Sequence, residues 1–358
     1  DVIKVESPDG GDDTRKWGPP FVMSHDGENL SAAYYHSCNR GKRSIAIDFS
    51  QPEGAETLRK LVATVDVLIE NFKLGGLKKY GLDYESLKAI NPRLVYCSIT
   101  GFGQDGPYAP RAGYDFIIQA MAGMMSITGE PGREPQKAGV AISDLFTGLY
   151  SVIAIQAALR HAERTGEGQH IDMALYDSQI SALGNQNLNY LVSGKSPVQM
   201  GNAHMNIAPY EVLPVKDGHI ILAVGNDGQF GKFCAVVGLA DLPANPDFAT
   251  NPARVANRAR LRETIIERLA TFDRDSLLAK LEAAGVPASP INTIGQMFAD
   301  PQTIARGMRL DLDDGHGNRL PSVRAPMVMS GTPLVYERSS PRLGEHTAEI
   351  LAELEKAK

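Results

Sequence analysis

The sequence has few of the features that mark secreted, metal-binding or membrane-spanning proteins. It contains only three cysteines, Cys38, Cys97 and Cys234, whose spacing matches neither a metal site nor a disulfide framework. We interpret them as packing residues in a reducing compartment. We expect no run of about 18 apolar residues and no signal-like start, so the sequence predicts no membrane span. The predicted location is cytoplasmic, or the mitochondrial matrix if the source is a eukaryote.

The chain also lacks an excess of positive charge. It carries 36 Lys and Arg against 42 Asp and Glu, a formal net charge of -6. This balance argues against nucleic acid or an anionic membrane as a partner. The 43% hydrophobic and 22% charged content is typical of globular proteins, and 358 residues exceed the usual single-domain size. From this length we expect two domains, or one domain with a large insertion. The sequence contains no internal repeats.

Strand-like and helix-like patterns alternate through the first half of the chain. Apolar strand patterns lie at 67–70, 94–100 and 169–175, with helical patterns between them and a further predicted helix over 177–192. Such alternation predicts an α/β fold with a doubly wound parallel, Rossmann-like sheet.

The pattern changes near Ser193. Lys216-Asp217-Gly218 separates two apolar runs and predicts a β-hairpin, which is followed by three helical segments. We therefore predict a large α/β domain over 1–195, an inserted smaller α+β domain over 205–300, and a linker over 301–358 that returns to the large domain. From Ile304 this linker is Pro-rich and expected to be extended.

One carboxylate stands at the start of the most apolar helical segment. No charged residue occurs from Leu145 to Leu159, and a helix that is apolar on all sides is normally an interior one. Ser143 and Asp144 should lie at its N-terminus, where free N–H groups and the helix dipole favour an ionised acid. We expect Asp144 to be a carboxylate at neutral pH, able to attack an acyl group. The same two residues are also typical of simple helix capping.

Other motifs with apparent chemistry are weaker. Gly101 to Gly106 satisfies G-x-G-x-x-G, but a dinucleotide site needs a helix to open at the third glycine. Pro107 and Pro110 follow instead, so we predict a mobile glycine-rich loop. Cys97 lies within a strand pattern and no G-x-S-x-G elbow is present, so neither Cys nor Ser competes with Asp144 as a nucleophile.

Several longer stretches match a known family in order and spacing. They include Asn39 to Asp48, Glu70-Asn71-Phe72, Thr100 to Gly103, Gly113-Tyr114-Asp115, the Asp144 segment, Thr165 to Gln169 and Leu343 to Thr347. On these motifs the chain resembles the class III (CaiB/BaiF) CoA-transferases. Further matches at 13–21, 96–101, 111–115 and 286–292 make it most similar to the branch of succinyl-CoA:glutarate (hydroxymethylglutarate) CoA-transferases.

The resemblance implies an enzyme that moves CoA between carboxylic acids, here short dicarboxylates. The residue matching Asp144 is the family's nucleophile and forms an aspartyl anhydride and then an aspartyl-CoA thioester. Racemases of this fold carry a histidine where this chain has Tyr114. A phenol, whose pKa is about 10, is a poor base at neutral pH, so Tyr114 is expected to orient a carbonyl or Asp144. An α-methylacyl-CoA racemase-type isomerase and a non-catalytic CoA-binding protein are the alternatives.

The resemblance also implies a binding site for CoA, which enters as a substrate; no permanently bound cofactor and no metal are expected. The residues matching CoA contacts are Asn71, Phe72, Ile47 and Lys79, where Lys79 replaces an arginine. Ser7 falls on another family arginine, and Arg15, Arg40 or Arg43 could replace that contact.

A dicarboxylate carries a second carboxylate that needs a fixed cation, for which Arg111, Lys137 and His204 are the candidates in falling order. Backbone N–H groups of Gly101, Gly103, Gly139 or the Gly201-Asn202 region could meet the oxyanion. The resemblance further implies an interlocked homodimer. Family members carry an earlier strand and helix, so we expect an N-terminal segment to be missing here.

Overall fold

The computed structural model describes residues 1–356, which form two compact units. Unit 1 comprises Asp1–Thr100, Ser151–Asp172 and the chain from Ile294 onward; unit 2 comprises Gly101–Tyr150 and Met173–Thr293. These units are groups of residues in close contact, and their bounds differ from those of the predicted domains (1–195, 205–300 and the linker 301–358). The domain boundaries stay a prediction.

The described residues form twelve strands and fifteen α-helices. The strands are β1 (Ile3–Glu6), β2 (Phe21–Met23), β3 (Asn29–Ala32), β4 (Arg43–Ala46), β5 (Val67–Glu70), β6 (Val95–Thr100), β7 (His170–Ala174), β8 (Tyr210–Val215), β9 (Gly218–Ala223), β10 (Ala288–Ser289), β11 (Arg309–Asp313) and β12 (Arg319–Val323). The helices are α1 (Ala33–Asn39), α2 (Pro52–Val62), α3 (Tyr84–Lys88), α4 (Asp115–Met121), α5 (Met124–Ile127), α6 (Ile142–Thr165), α7 (Leu175–Ala182), α8 (Asn185–Ser193), α9 (Asp227–Val237), α10 (Asn251–Ala256), α11 (Arg258–Leu269), α12 (Arg274–Ala283), α13 (Ile294–Ala299), α14 (Pro301–Ala305) and α15 (Thr347–Lys356).

Unit 1 contains two parallel strand pairs as well as the antiparallel pairs β2-β3 and β11-β12. β1 pairs in parallel with β4, and β5 pairs in parallel with β6 in a sheet of order β5-β6-β7. The first four residues of β6 are buried, as expected for a strand in a covered parallel sheet. Parallel strands joined through helices confirm the predicted α/β class. Their winding into one doubly wound sheet stays a prediction.

A buried ion pair ties the start of unit 1 together. Arg15 Nε and Nη2 donate to the two oxygens of Glu6 at 2.8 and 2.7 Å, and the side chains are 8% and 1% exposed. Arg15 also donates to the Tyr35 hydroxyl at 2.7 Å, and Ser44 Oγ donates to Glu6 at 2.7 Å. Because Glu6 is the last residue of β1 and Ser44 lies in β4, the Ser44 bond links the two parallel strands through their side chains.

Unit 2 contains the predicted hairpin and a core of its own. β8 and β9 are antiparallel with Val215 opposite Gly218, and β10 adds to β9, so the sheet order is β10-β9-β8. The core beneath this sheet includes fully buried Leu213, Ile220 and Phe230. This arrangement agrees with the predicted α+β content of the region.

Helix α6 differs from the expected interior helix. One face is buried and consists of small or polar residues with one isoleucine, namely Ser143, Thr147, Ser151, Ile155, Ala158 and Ala162. The apolar residues Leu145, Leu149, Val152 and Ile153 are instead 54 to 65% exposed. By length and composition α6 could cross a membrane, which corrects our expectation of no such segment, although core helices of soluble proteins pass the same test.

Two further elements differ from the sequence-based expectation. The helix predicted over 177–192 is divided into α7 and α8, because Gly184 between them adopts a φ of 55°. The segment after Ile304, expected to be extended, forms the hairpin β11-β12 with Leu312 opposite Leu320. The alternation of Arg309 to Asp313 was the available signal for this hairpin.

Candidate active site

Asp144 is the third residue of α6, and its carboxylate is not used as a cap. The N–H groups of Ser143 and Asp144 instead point at Oδ2 of Asp115, at 2.8 and 3.4 Å. The flanking N–H groups of α6 are also bonded: Ile142 N–H donates to Val140 O and Leu145 N–H donates to Ala141 O. The Leu145 bond is the first regular bond of the helix, so three of the N–H groups that a helix start usually leaves free, those of Ile142, Ser143 and Asp144, are occupied.

Asp115 is itself anchored from behind. Its Oδ1 accepts from Nε2 of Gln119 at 2.6 Å, one turn further along α4. Gln119 is fully buried, and its Oε1 accepts from the N–H of Ala138 at 2.8 Å. This chain of hydrogen bonds connects the start of α4 with the segment that leads into α6.

The pKa of Asp144 is shifted in the direction opposite to the one expected at a helix N-terminus, although the group stays a carboxylate at neutral pH as predicted. Although Asp144 reaches the surface, protein atoms around its carboxylate shield it partly from water. This desolvation, and after it the negative charge of Asp115, raises the pKa of Asp144 from 3.8 to about 6. We expected the helix N-terminus to favour the ionised form, but its N–H groups are bonded to other acceptors. No hydrogen bond to the Asp144 carboxylate occurs within residues 1–356. The side chain is exposed and remains mostly ionised at pH 7.

The glycine-rich segment after β6 is a loop, as predicted. No helix opens at Gly106, and the next helix is α4, which begins at Asp115. The backbones of Gly101 and Gly113 approach closely: a Cβ built on Gly101 would lie 2.5 Å from the Gly113 Cα. The chain at Gly101, where the loop starts, therefore packs directly against Gly113, which lies two residues before Asp115.

Replacing Gly101 by alanine is expected to destabilise the protein by about 2 kcal/mol, because the added methyl group meets backbone that cannot rotate away. Thermal unfolding of the purified variant measures the change. Gly231→Ala is the matched control, since a Cβ on Gly231 in α9 meets nothing within 4 Å. An equal melting temperature for wild type and Gly101→Ala would contradict this account.

The other residues predicted near the reaction have varied environments. Tyr114 is 69% exposed and directly precedes α4. The Arg111 guanidinium lies 4.0 Å from the centre of the Tyr108 ring, and Nζ of Lys137 donates to Ala138 O at 3.2 Å. His204 is half-buried against Tyr210, and its Nδ1 accepts from Asn206 N–H at 3.1 Å. Within residues 1–356 none of these four makes a hydrogen bond or ion pair with Asp144.

The glycines considered for an oxyanion site differ from one another. Gly139 has no atom within 4 Å of a Cβ built on it. The N–H of Gly201 is already bonded to Gly129 O at 3.0 Å, which removes it as an oxyanion donor in this conformation. Burial raises the pKa of the Cys97 thiol, so this cysteine is a poor nucleophile, in line with the sequence.

Three of the predicted CoA contacts come together in unit 1. The ring of Phe72 packs edge-on against Phe49 at 5.6 Å, and Phe49 also contacts Tyr80 at 5.5 Å. Lys79 Nζ lies 4.6 Å from the Tyr80 ring centre, and Asn71 is exposed beside Phe72. The cluster offers an aromatic surface, an amide and a cation.

Ile47 does not contribute to an open surface, which departs from the adenine contact that we predicted. It is 8% exposed and packs in a core cluster with Ile45, Leu61 and Ile350.

The arginines suggested for the CoA phosphates already have partners. Arg15 is committed to Glu6, and Arg43 is paired with Asp1, Glu349 and Glu353. Arg40 donates to Ser322 Oγ at 3.0 Å and to Val323 O. Carboxylates neutralise the first two guanidinium groups, so Arg15 and Arg43 are held as structural cations, contrary to the prediction.

The residue at this site that sequence reasoning missed is Asp115, whose carboxylate accepts the N–H groups of Ser143 and Asp144. In the sequence Asp115 stands out only as the last residue of the family motif Gly113-Tyr114-Asp115. The signal available was an acid at the first position of a helix with Gln119 one turn later, which is typical of a side-chain pair on one helix face.

A parallel α/β fold with an unbonded carboxylate at the start of a helix fits an enzyme of acyl or CoA transfer. The model of CoA-transferase family III matches residues 1–347. The chain therefore belongs to CoA-transferase family III and is a CoA-transferase, as its motifs predicted.

Individual relatives agree with this assignment. A succinate–glutarate CoA-transferase of Agrobacterium fabrum is 62% identical over 355 residues, covering 99% of this chain and 89% of that protein. The succinyl-CoA:glutarate CoA-transferase of Homo sapiens is 41% identical over 355 residues, covering 99% and 80%. The crystal structure of a CAIB/BAIF family protein from Brucella suis has a TM-score of 0.86 at 62% identity, covering 99% of this chain and 92% of that one. The predicted resemblance to the glutarate branch is confirmed.

Proposed function

We propose that this enzyme transfers CoA from succinyl-CoA to glutarate or a similar short dicarboxylate. The observation that carries the proposal is the Asp144 carboxylate, which is exposed and accepts no hydrogen bond within the described residues. The names of the relatives from Agrobacterium fabrum and Homo sapiens support the choice of acids.

In the proposed reaction an Asp144 oxygen attacks the thioester carbonyl carbon of succinyl-CoA. The C–S bond breaks, its electron pair leaves on sulfur as CoA thiolate, and a mixed anhydride of Asp144 and succinate remains. The thiolate then attacks the Asp144 carbonyl and releases succinate, leaving an aspartyl-CoA thioester. Attack by the acceptor carboxylate and the reverse sequence give the new acyl-CoA, so one difficult displacement is divided into easier ones.

Polar groups of unit 2 would support these steps. We propose that Tyr114 orients a carbonyl or Asp144, and that N–H groups of Gly101, Gly103 or Gly139 meet the negative charge on the carbonyl oxygen. Arg111 is the preferred cation for the unreacting carboxylate, since it is exposed and its guanidinium is steadied by the Tyr108 ring. Lys137 and His204 follow it in preference.

We propose that CoA binds as a substrate, with no permanently bound cofactor. Phe72 and its aromatic neighbours would receive the adenine, Asn71 would supply hydrogen bonds, and Lys79 would meet a phosphate. A lysine at position 79 provides a charge without the two-pronged contact of an arginine, so its phosphate contact would be less directional.

The acids are tested by assaying purified enzyme with succinyl-CoA and a panel of acceptors that includes glutarate, hydroxymethylglutarate, mesaconate, citramalate and acetate. The proposal expects the short dicarboxylates to be used far better than acetate, because only they carry a second carboxylate. Equal use of acetate and glutarate would contradict the dicarboxylate specificity.

The pH dependence follows from the pKa of Asp144, which is raised to about 6. Only the ionised carboxylate is a nucleophile, so kcat should be at its plateau well above pH 6. It should fall as the pH drops through the pKa, by about tenfold per unit further below it. A kcat profile from pH 4.5 to 8.5, with stability checked at each pH, tests this. A flat profile down to pH 5 would contradict it.

We also propose an interlocked homodimer, because α6 exposes the apolar residues Leu145, Leu149, Val152 and Ile153 while its buried face is made mostly of small or polar residues. Helix α8 likewise exposes Leu188, Leu191 and Val192, at 58 to 83%. A second copy covering these side chains would remove a large apolar surface from water. We place the dimer in the cytoplasm, or in the mitochondrial matrix if the source is a eukaryote.

Leu149→Lys with Ile153→Lys is expected to abolish the dimer, because it buries two charges at the proposed interface. Sedimentation velocity reports the mass. Glu163→Lys on an exposed position of the same helix is the control and should leave the dimer intact. A lysine double variant that sediments as wild type would place the interface elsewhere. Interlocking further predicts that differently tagged dimers do not exchange subunits unless they are unfolded.

A further inference from the structure

Asp115 has contacts that a simple helix cap does not need. One oxygen accepts the N–H groups of Ser143 and Asp144, and the other is held by Gln119, which is fully buried and also fixes Ala138. Asp115 thus bonds to the backbone of the residue that carries the proposed nucleophile. Its second oxygen is fixed relative to the segment that precedes that residue.

We propose that Asp115 is a positioning residue for CoA transfer: it occupies the N–H groups at the start of α6 and sets a negative charge near Asp144, which leaves the Asp144 carboxylate without local donors and more reactive in the attack. This inference rests on the proposed function of Asp144. Asp115 would not contact the substrate in this role.

The physical reason concerns the lone pairs of Asp144. Acids in the first turn of a helix commonly accept hydrogen bonds from free N–H groups there, and such bonds stabilise the carboxylate and weaken it as a nucleophile. At α6 the groups of Ser143 and Asp144 are directed at Asp115 instead. Among the described residues, Asp115 is also the one charged group that raises the pKa of Asp144, so its charge makes that carboxylate more basic.

Ser143 strengthens this arrangement from the opposite side. Its hydroxyl is fully buried and donates to Oε1 of Gln179, which lies on α7, at 2.7 Å. The Ser143 side chain is therefore turned into the protein while the neighbouring Asp144 side chain is exposed. With Ser143 held by Gln179 and its N–H held by Asp115, the first turn of α6 has little freedom to rotate Asp144 inward.

Asp115→Asn is the informative variant, because the amide oxygen can still accept the N–H groups while the charge is removed. Enzyme is incubated with succinyl-CoA and hydroxylamine, whose nitrogen attacks the aspartyl-CoA thioester and expels CoA thiol, leaving a hydroxamate at Asp144. Mass spectrometry gives the rate of labelling at each pH. We expect the variant to label several-fold more slowly at its plateau, with the acid midpoint lowered by about one pH unit. KM for succinyl-CoA should change little.

Asp275→Asn is the matched control: it removes an exposed acid from the first turn of α12, and it should label as wild type does. If wild type itself is not labelled at Asp144, the proposed function fails. If wild type is labelled and Asp115→Asn shows the same plateau rate and midpoint, only the role of Asp115 fails, even if the variant melts at a lower temperature.

A second variant guards against misfolding of the first. Gln119→Leu removes the bond to Oδ1 of Asp115 but leaves the charge, so labelling should slow while the acid midpoint stays in place. Labelling of Gln119→Leu at the wild-type rate would overturn the proposal.

Discussion

Asp144→Ala is expected to reduce CoA transfer on the order of ten-thousand-fold or more, the scale seen when a covalent nucleophile is removed. The alanine variant cannot form the anhydride or the thioester, and other groups cannot take over. Cys97 is buried with a raised thiol pKa, and Ser143 is turned inward to Gln179. The assay follows CoA transfer from succinyl-CoA to glutarate.

Binding of CoA should survive the same substitution. The proposed CoA contacts, Asn71, Phe72 and Lys79, belong to unit 1, whereas Asp144 belongs to unit 2. Calorimetric titration with CoA is expected to give a Kd within a few-fold of wild type. Asp144→Asn tests shape against charge, since it retains the size of the side chain and removes the nucleophile. A variant at position 144 that keeps near-normal turnover would show that another residue carries the acyl group.

Glu6→Gln is expected to lower the free energy of unfolding by about 3–5 kcal/mol, because it leaves the buried Arg15 charge without its counter-ion. Trp17, the only tryptophan, lies two residues from Arg15, so its fluorescence during denaturant unfolding reports on this region. Asp273→Asn is the matched control. It breaks the Lys216 pair, whose side chains are both 60% exposed, and should cost less than about 1 kcal/mol.

The pH dependence of stability gives this prediction a second readout. Burial alone would raise the pKa of Glu6, but the hydrogen bonds from Arg15, Ser44 and the Asp12 N–H outweigh it and hold the pKa below its ordinary value of 4.5. The ionised form therefore contributes stability above about pH 4.5, and this contribution is lost as the pH falls through the lowered pKa. Glu6→Gln should be less sensitive to acid than wild type. Equal stability of variant and wild type at pH 7 would contradict the structural role of this pair.

The sequence was informative wherever contacts are local. β5 was predicted with its observed bounds, and the hairpin of β8 and β9 followed from Lys216-Asp217-Gly218. Strand alternation, helix periodicity and turn residues act over a few positions, so they can be read without the fold. The same holds for the absence of a helix at Gly106, which two prolines predicted.

The sequence was less informative for charged side chains. Arg15 and Arg43 look like free cations in the sequence, but the fold gives each a carboxylate partner. Arg15 pairs with Glu6, which is 9 residues away on β1, and Arg43 pairs with Glu349, which is 306 residues away. Whether an arginine binds a phosphate or a carboxylate of its own chain depends on which groups the fold brings within a few ångströms. No local pattern contains that information.

By itself, the sequence determined the family, the α/β class, the elements around the site and the choice of Asp144 as the nucleophile candidate. Only the tertiary structure decided how Asp144 is presented. Asp115, 29 residues earlier, accepts the N–H groups that were expected to serve Asp144. Desolvation and repulsion from the Asp115 charge then raise the pKa of Asp144 to about 6. The reason is that a hydrogen-bond donor serves the acceptor that folding places in front of it. That choice depends on tertiary distances, which the order of residues does not show.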